Sequence, residues 1–287
     1  MNPTAAGPEI LLFRPPVPPP PGWEVPNLYL LGRQEVTLVD AGYAYAQAAD
    51  DLLAAAAGRP IVRIVLTHGH TDHAGAAAAL RERTGCRIVC HPRDRATLRR
   101  RFPELEVDQE VREGDVIAAE DKRLQVIDTP GHAPGHIALW IEEEGTLFTG
   151  DLVTGAGSTF VGPPEGDMVA YMRSLDKVLA LPAKRLLPGH GPLVPEPQKR
   201  IQELITHRRL RELQIGKILE KGPHTLGEMV ETAYGGLIHP GLKGAAFITL
   251  LAHLDKLAAE AKVGFQPSGA KPHERSYFLT VPTPLPY

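Results

Sequence analysis

The chain has 287 residues, 43% hydrophobic and 23% charged, with 31 Lys and Arg against 34 Asp and Glu. This is ordinary globular composition, long enough for one large domain or one domain with a smaller appendage. A formal net charge of −3 excludes a protein that coats nucleic acid through charge alone.

The start of the chain lacks a basic stretch followed by an apolar one, and no run approaches the roughly 18 apolar residues that a spanning helix needs. A cytoplasmic protein without membrane contact is therefore expected. Cys86 and Cys90 would sit about 13 Å apart along one strand, too far for a disulfide. They read as two small buried apolar side chains.

In chain order, Arg14 to Trp23 holds six prolines and predicts a stiff surface loop, because proline removes backbone donors and fixes φ. Leu28–Leu31 and Val36–Val39 predict a β-hairpin that ends in Asp40-Ala-Gly42. Tyr45 to Ala57 predicts a helix stopped by Gly58. Ile61–Leu66 is a β-branched strand running straight into His68. Ala74–Arg83 predicts a helix stopped by Gly85, and Cys86–Cys90 the next strand. Strands follow at Leu124–Ile127, Ile137–Ile141 and Thr146–Phe148, then a helix over Met168–Ala180 and a short strand over Arg185–Leu187. This alternation predicts a layered α/β domain. After Pro192, Pro195 and Pro197, apolar residues recur at helical spacing in three segments: Gln198–Glu220, Leu226–Tyr234 and a last one containing Phe247, Leu250, Leu251, Leu254 and Leu257. The division expected is a catalytic domain over 1–195, a small helical domain over 196–265 and an extended tail over 266–287.

Thr67-His68-Gly69-His70-Thr71-Asp72-His73 places four potential metal ligands within six residues, between a strand and a helix. Imidazole with carboxylate and no thiolate suits a catalytic zinc, manganese or iron site more than a structural zinc. In extended backbone His68 and His70 point the same way and can grip one ion, while Asp72 and His73 can face a second. Three later segments repeat one form, a strand, a glycine turn and a ligand type: Thr129-Pro-Gly-His132, Thr149-Gly-Asp151 and Leu187-Pro-Gly-His190. His136 is expected to support a ligand rather than touch a metal, and His91 to be no ligand.

This pattern resembles the metallo-β-lactamase superfamily, in which an HxHxDH motif is followed by a histidine, an aspartate and a histidine, each after its own strand. The resemblance covers about residues 10–195 and implies an αββα sandwich. It implies a first metal on His68, His70 and His132, a second on Asp72, His73 and His190, and Asp151 bridging them. Two divalent ions, with zinc expected ahead of manganese or iron, bridge a water and make hydroxide available near neutral pH. Asp72 would also orient that water or accept its proton, which makes it the catalytic residue.

The fold hosts several chemistries. His70 stands where diiron oxygen reductases carry glutamate. His207 through Ala258 resembles the winged-helix-like appendage of lactamase-beta-like endoribonucleases, an architecture shared with glyoxalase II-like relatives. From Glu196 to Lys262 there are ten Lys and Arg against eight Asp and Glu, with few aromatics, a weak signal for nucleic acid. Hydrolysis of a small ester or thioester is therefore the expected function. Single-strand endoribonuclease, with Arg208, Arg209 and Arg211 on phosphates, is the alternative, and a one-iron sulfur dioxygenase the third reading. The appendage is expected to roof the site or to form a homodimer contact.

Overall fold

The computed structural model describes residues 2–19, 24–235, 241, 243–267 and 275–280. The first sheet begins with four antiparallel strands, β1 (Thr4–Gly7), β2 (Ile10–Phe13), β3 (Leu28–Leu31) and β4 (Val36–Val39). It continues in parallel through β5 (Ile61–Val65), β6 (Arg87–Cys90) and β7 (Gln109–Glu110). The second sheet contains β8 (Val116–Ala119), β9 (Lys122–Asp128), β10 (Ile137–Ile141), β11 (Thr146–Gly150) and β12 (Arg185–Pro188). Its order is β12-β11-β10-β9-β8, antiparallel except for the β11–β12 pair.

Alternation along each strand builds three layers of core. Tyr29, Leu31, Val39, Val65 and Val89 of the first sheet meet Val126, Leu139, Phe148 and Leu187 of the second. The opposite face of the first sheet sends Leu28, Leu30, Leu38 and Ile64 against α1 (Ala48–Ala55), α3 (Ala77–Thr84) and α4 (Arg95–Arg101). The outer face of the second sheet packs Trp140, Leu147 and Leu186 on α5 (Met168–Leu179) and α6 (Pro197–Leu219). Sheets covered on both faces read as unbroken apolar runs, and β10 is buried at all five positions. Each such fully buried aliphatic side chain contributes about 1.5–3 kcal/mol. The expected αββα sandwich is the observed one. Both cysteines are free and buried.

The helix expected over Ala74–Arg83 is two helices, α2 (Thr71–Ala74) and α3. Between them Gly75 lies so close to the backbone of Gly42 and Ala44 that a Cβ would collide with both. The segment is pinned there, with Ala41 N–H donating to His73 O and Ala76 N–H to Gly42 O.

The C-terminal unit packs α6, α7 (Leu226–Tyr234) and α8 (Lys243–Ala259) beside a small antiparallel sheet, β13 (His224–Thr225), β15 (Arg275–Leu279) and β14 (Val263–Pro267). The expectation of an extended tail from 266 is corrected here: residues 275–279 are a strand paired on both sides. Tyr277, 1% exposed, drives this by filling the core formed by Ile215, Met229 and Leu254. The remainder of that tail, 268–274 and 281–287, lies outside the described residues, as do Pro20–Trp23 of the proline-rich lead. Among the described residues no helix is long and apolar enough to cross a membrane.

Candidate metal centre

Every sequence-selected ligand sits just beyond a strand end or at the turn it feeds, and the two sheets bring these ends together. His68 Nε2, His70 Nδ1 and His132 Nε2 form a triangle with sides of 3.0, 3.2 and 2.8 Å. The outward nitrogen of each ring is engaged elsewhere. His132 Nδ1 donates to the Phe160 carbonyl at 2.7 Å, and His70 Nε2 lies 2.9 Å from Glu165 Oε2. Thr67 Oγ1 gives its proton to Asp40 Oδ2 at 2.8 Å and so accepts from His68 Nδ1 at 3.1 Å. With their protons outward, three bare lone pairs converge.

A second donor set lies alongside. His190 Nε2 is 3.2 Å from Asp72 Oδ2 and 3.3 Å from His73 Nε2, while His73 Nδ1 donates to Asp40 Oδ2 at 2.8 Å. Asp151 stands between the sets, with Oδ2 3.5 Å from both His132 Nε2 and His190 Nε2 and Oδ1 3.3 Å from His73 Nε2. Asp151 Oδ1 and His190 Nδ1 are buried without a hydrogen bond among the described residues. Inward lone pairs and an orphaned carboxylate oxygen in one buried cluster are chemistry that cations satisfy, so the residues fit a metal site.

The electrostatics agree. Burial pushes His68 well below the usual imidazole range, reinforced by the rings of His73, His70 and His132. Burial also holds His132 down at about 4 and His136 at about 3. His68 and His132 are therefore neutral near pH 7, the form that ligates. Burial opposes ionisation of Asp72, but His73 and His190 outweigh it and hold the carboxyl at about 2. Around His73, burial is outweighed by Asp151, Asp40 and Asp72, which raise the ring. Three carboxylates on one imidazole leave an excess of negative charge.

His136 lies behind Asp151, accepting its backbone N–H at 3.0 Å and meeting Thr129 Oγ1 at 2.8 Å. His91 is away from the cluster, 3.5 Å from Asp128 and capping Arg93 N. Sequence reading missed the groups that orient the ligands. Asp40 carries a legible signal, because Val39-Asp40-Ala-Gly42 is itself a strand, a carboxylate and a glycine turn. Glu165, clamped by Arg100 and Arg101, and Asp94, which accepts Gly69 N–H and Gly135 N–H, carry no local signature. Gly131 has φ +135°, and a Cβ there would enter the Tyr171 backbone; the His132 turn can rest on α5 only as glycine.

Residues 21–190 match the family model of the metallo-beta-lactamase superfamily. The chain belongs to that superfamily. It is a metallo-β-lactamase-fold hydrolase. The Beta-lactamase-like protein 2 homolog of Caenorhabditis elegans is 34% identical over 68% of this chain, a match that spans 65% of the worm protein. The atrochrysone carboxyl ACP thioesterase of Aspergillus fumigatus is 30% identical over 86% of this chain and 80% of its own. A metallo-beta-lactamase family protein from Thermus thermophilus has 29% identity and a TM-score of 0.79, covering 96% of this chain and all of that one. A further protein, solved in a di-iron-bound form, has 29% identity and a TM-score of 0.53 over 66% of this chain and 98% of its own.

Beyond the superfamily core, α6 and α8 stand over the metal centre. They and the 154–160 segment line a cleft of about 420 Å³ that reaches His132, Asp151 and His190 on one side and Arg208, Arg211, Tyr234, Ala245 and Thr249 on the other. α6 holds that segment directly: Arg200 donates to the carbonyls of Thr154 and Gly157, and Arg208 to that of Thr159. The sequence reading of Arg208, Arg209 and Arg211 as one face is corrected by this geometry. Arg208 is 2% exposed and Arg211 stacks on Tyr234, which leaves only Arg209 facing outward. A helix turns by about 100° per residue, so adjacent positions separate.

Proposed function

We propose that this protein hydrolyses the thioester or ester of a small acyl substrate, using two divalent metal ions, with zinc the expected species. The observation that carries the reading is the 420 Å³ cleft that opens on His132, Asp151 and His190 and is walled on its far side by α6 and α8. A cleft of that size suits a small molecule. The thioesterase among the relatives supports the same bond class.

In this reading His68, His70 and His132 hold one ion, Asp72, His73 and His190 the other, and Asp151 lies against both. Bound there, the ions would supply a nucleophile from water near neutral pH and polarise the attacked carbonyl. Asp72, ionised and next to His190, orients the attacking water or accepts its proton. Asp40, Glu165 and the Phe160 carbonyl hold His73, His70 and His132 in the tautomer that points a lone pair inward. The roof supplies a wall for the acyl group beside the metal centre. Two complete donor sets favour two ions over the single iron of a dioxygenase, and the relative solved in a di-iron-bound form is in keeping with a two-ion centre.

The test is metal analysis together with a panel of acyl thioesters, esters, lactones and labelled single-stranded RNA. Thioester hydrolysis that disappears with a chelator and returns with zinc is the expected result. Metal-dependent RNA cleavage without hydrolysis of any thioester or ester would overturn the proposal in favour of a nuclease.

A further inference from the structure

The roof of the cavity contains two guanidinium groups that touch none of the candidate metal ligands. Arg208 is 2% exposed. Among the described residues its only side-chain hydrogen bond goes to the Thr159 carbonyl and its Nε has no partner, while its guanidinium lies 5.1 Å from the Tyr171 ring centre. Arg211, three residues on and so on the same side of α6, lies 4.1 Å over the Tyr234 ring and donates to the Gln214 side chain. Neither forms an ion pair among the described residues. The nearby carboxylate of Glu212 is already engaged by His253 at 3.2 Å and Lys256 at 2.9 Å. Residues 236–242 contain no acid. Glu24, the other carboxylate on the cavity wall besides Asp151, sits beside Gly191 at the metal end.

A buried cation without a counter-charge is expensive to maintain. Stacking on tyrosine faces offsets part of that cost, and the N–H groups not given to Thr159 and Gln214 remain for a carboxylate acceptor. Both arginines line the cavity that also reaches the metal centre. We infer that Arg208 and Arg211 bind a carboxylate at the far end of the acyl group, so that the preferred substrates are mono-thioesters or mono-esters of dicarboxylic acids. This rests on the hydrolase reading above and names the substrate class for the same site. A carboxylate matches the two-point geometry of guanidinium donors better than a neutral acyl terminus can. It also brings the negative charge that Arg208 lacks.

The test compares N-acetylcysteamine thioesters of succinic, glutaric and adipic acid with butanoyl, pentanoyl and hexanoyl esters on the metal-loaded protein. These probes carry no other charge. At the fitting length the carboxyl-ended ester should be favoured by about tenfold or more in kcat/KM, mainly through KM. Arg208→Gln should abolish that preference and Arg208→Lys restore part of it. Arg208 is buried, so Arg211→Gln, at a half-buried position, supplies a second variant in which the preference falls severalfold. Calorimetry gives an independent measurement: each diacid is titrated against the monoacid of equal carbon count on the parent and on Arg211→Gln, which tells a second carboxylate on the arginines from one on the metals. A diacid that binds about tenfold tighter supports the subsite even if no thioester is hydrolysed, an outcome that would sink only the reading of thioester and ester hydrolysis. Equal affinities on folded, metal-loaded protein, or a preference for the uncharged ester, would overturn the inference.

Discussion

Replacing Asp40 by asparagine isolates what a residue that touches no metal does for the metal centre. Asp40 accepts the Thr67 N–H at 2.8 Å, the Thr67 hydroxyl at 2.8 Å and His73 Nδ1–H at 2.8 Å. Asparagine fills the same volume but brings one acceptor oxygen and one NH2 group. If its oxygen stays on the Thr67 N–H, at the place of Oδ1, the NH2 takes the place of Oδ2 and faces both Thr67 Oγ1 and His73 Nδ1. The ring must then accept there and carry its proton on Nε2, the atom that faces Asp72, Asp151 and His190. A protonated Nε2 cannot ligate. Loss of such an orienting carboxylate costs roughly 10–100-fold in metal affinity, which is about 1.4–2.7 kcal/mol. Backbone strain does not confuse the result, because Asp40 has φ 61° and asparagine tolerates that region as well as aspartate does. Asp40→Ala would add roughly 1–2 kcal/mol of strain and is the poorer experiment. Competition against a chromophoric chelator measures both affinities, and the weaker ion should be released first in Asp40→Asn. Two ions held as tightly as in the parent, with an unchanged fold, would refute the assignment of Asp40 to His73.

Asp151→Ala removes the carboxylate shared by both donor sets; elemental analysis should show fewer than two ions per chain, and hydrolysis should be lost. Chelation should lower the melting temperature measured by scanning calorimetry, since ions bound at about 1,000 times their Kd stabilise the folded state by about 4 kcal/mol; an unchanged transition would mean that no ion is tightly held. Glu165→Gln keeps an acceptor for His70 Nε2 but loses the charge, and should weaken one ion about tenfold while leaving thermal stability of the metal-free protein nearly unchanged, both readable in the chelator assay and by melting. Gly131→Ala forces a Cβ towards the Tyr171 backbone at φ +135° and should destabilise the protein by about 1–3 kcal/mol, seen as a lower denaturation midpoint.

The layered core and the positions of the seven candidate ligands were legible because both obey local rules. Strands covered on two faces show unbroken apolar runs, and each ligand follows a strand through a glycine turn. What escaped the sequence depends on partners distant along the chain. Glu165 meets His70 across 95 positions and Asp94 meets Gly135 across 41, with no pattern near either residue to mark the meeting. The strand at Arg275–Leu279 was hidden by the prolines around it, since Tyr277 is recognisable as core only once Ile215 and Leu254 surround it. The inward turn of Arg208 was illegible for a related reason. A run of arginines looks the same whether it faces water or covers a cavity, and only the packing of α6 on the 154–160 segment decides.

That packing has a consequence for how such a protein can change over evolution. Arg208 grips the Thr159 carbonyl, and the very next carbonyl, of Phe160, fixes the His132 ring. One peptide unit therefore separates the attachment of the C-terminal helix from a candidate metal ligand. A C-terminal unit grafted from a relative would not simply exchange one specificity for another on an unaltered catalytic engine. It would re-seat the 154–160 segment, and with it His132, so selectivity and reactivity in this architecture are inherited together.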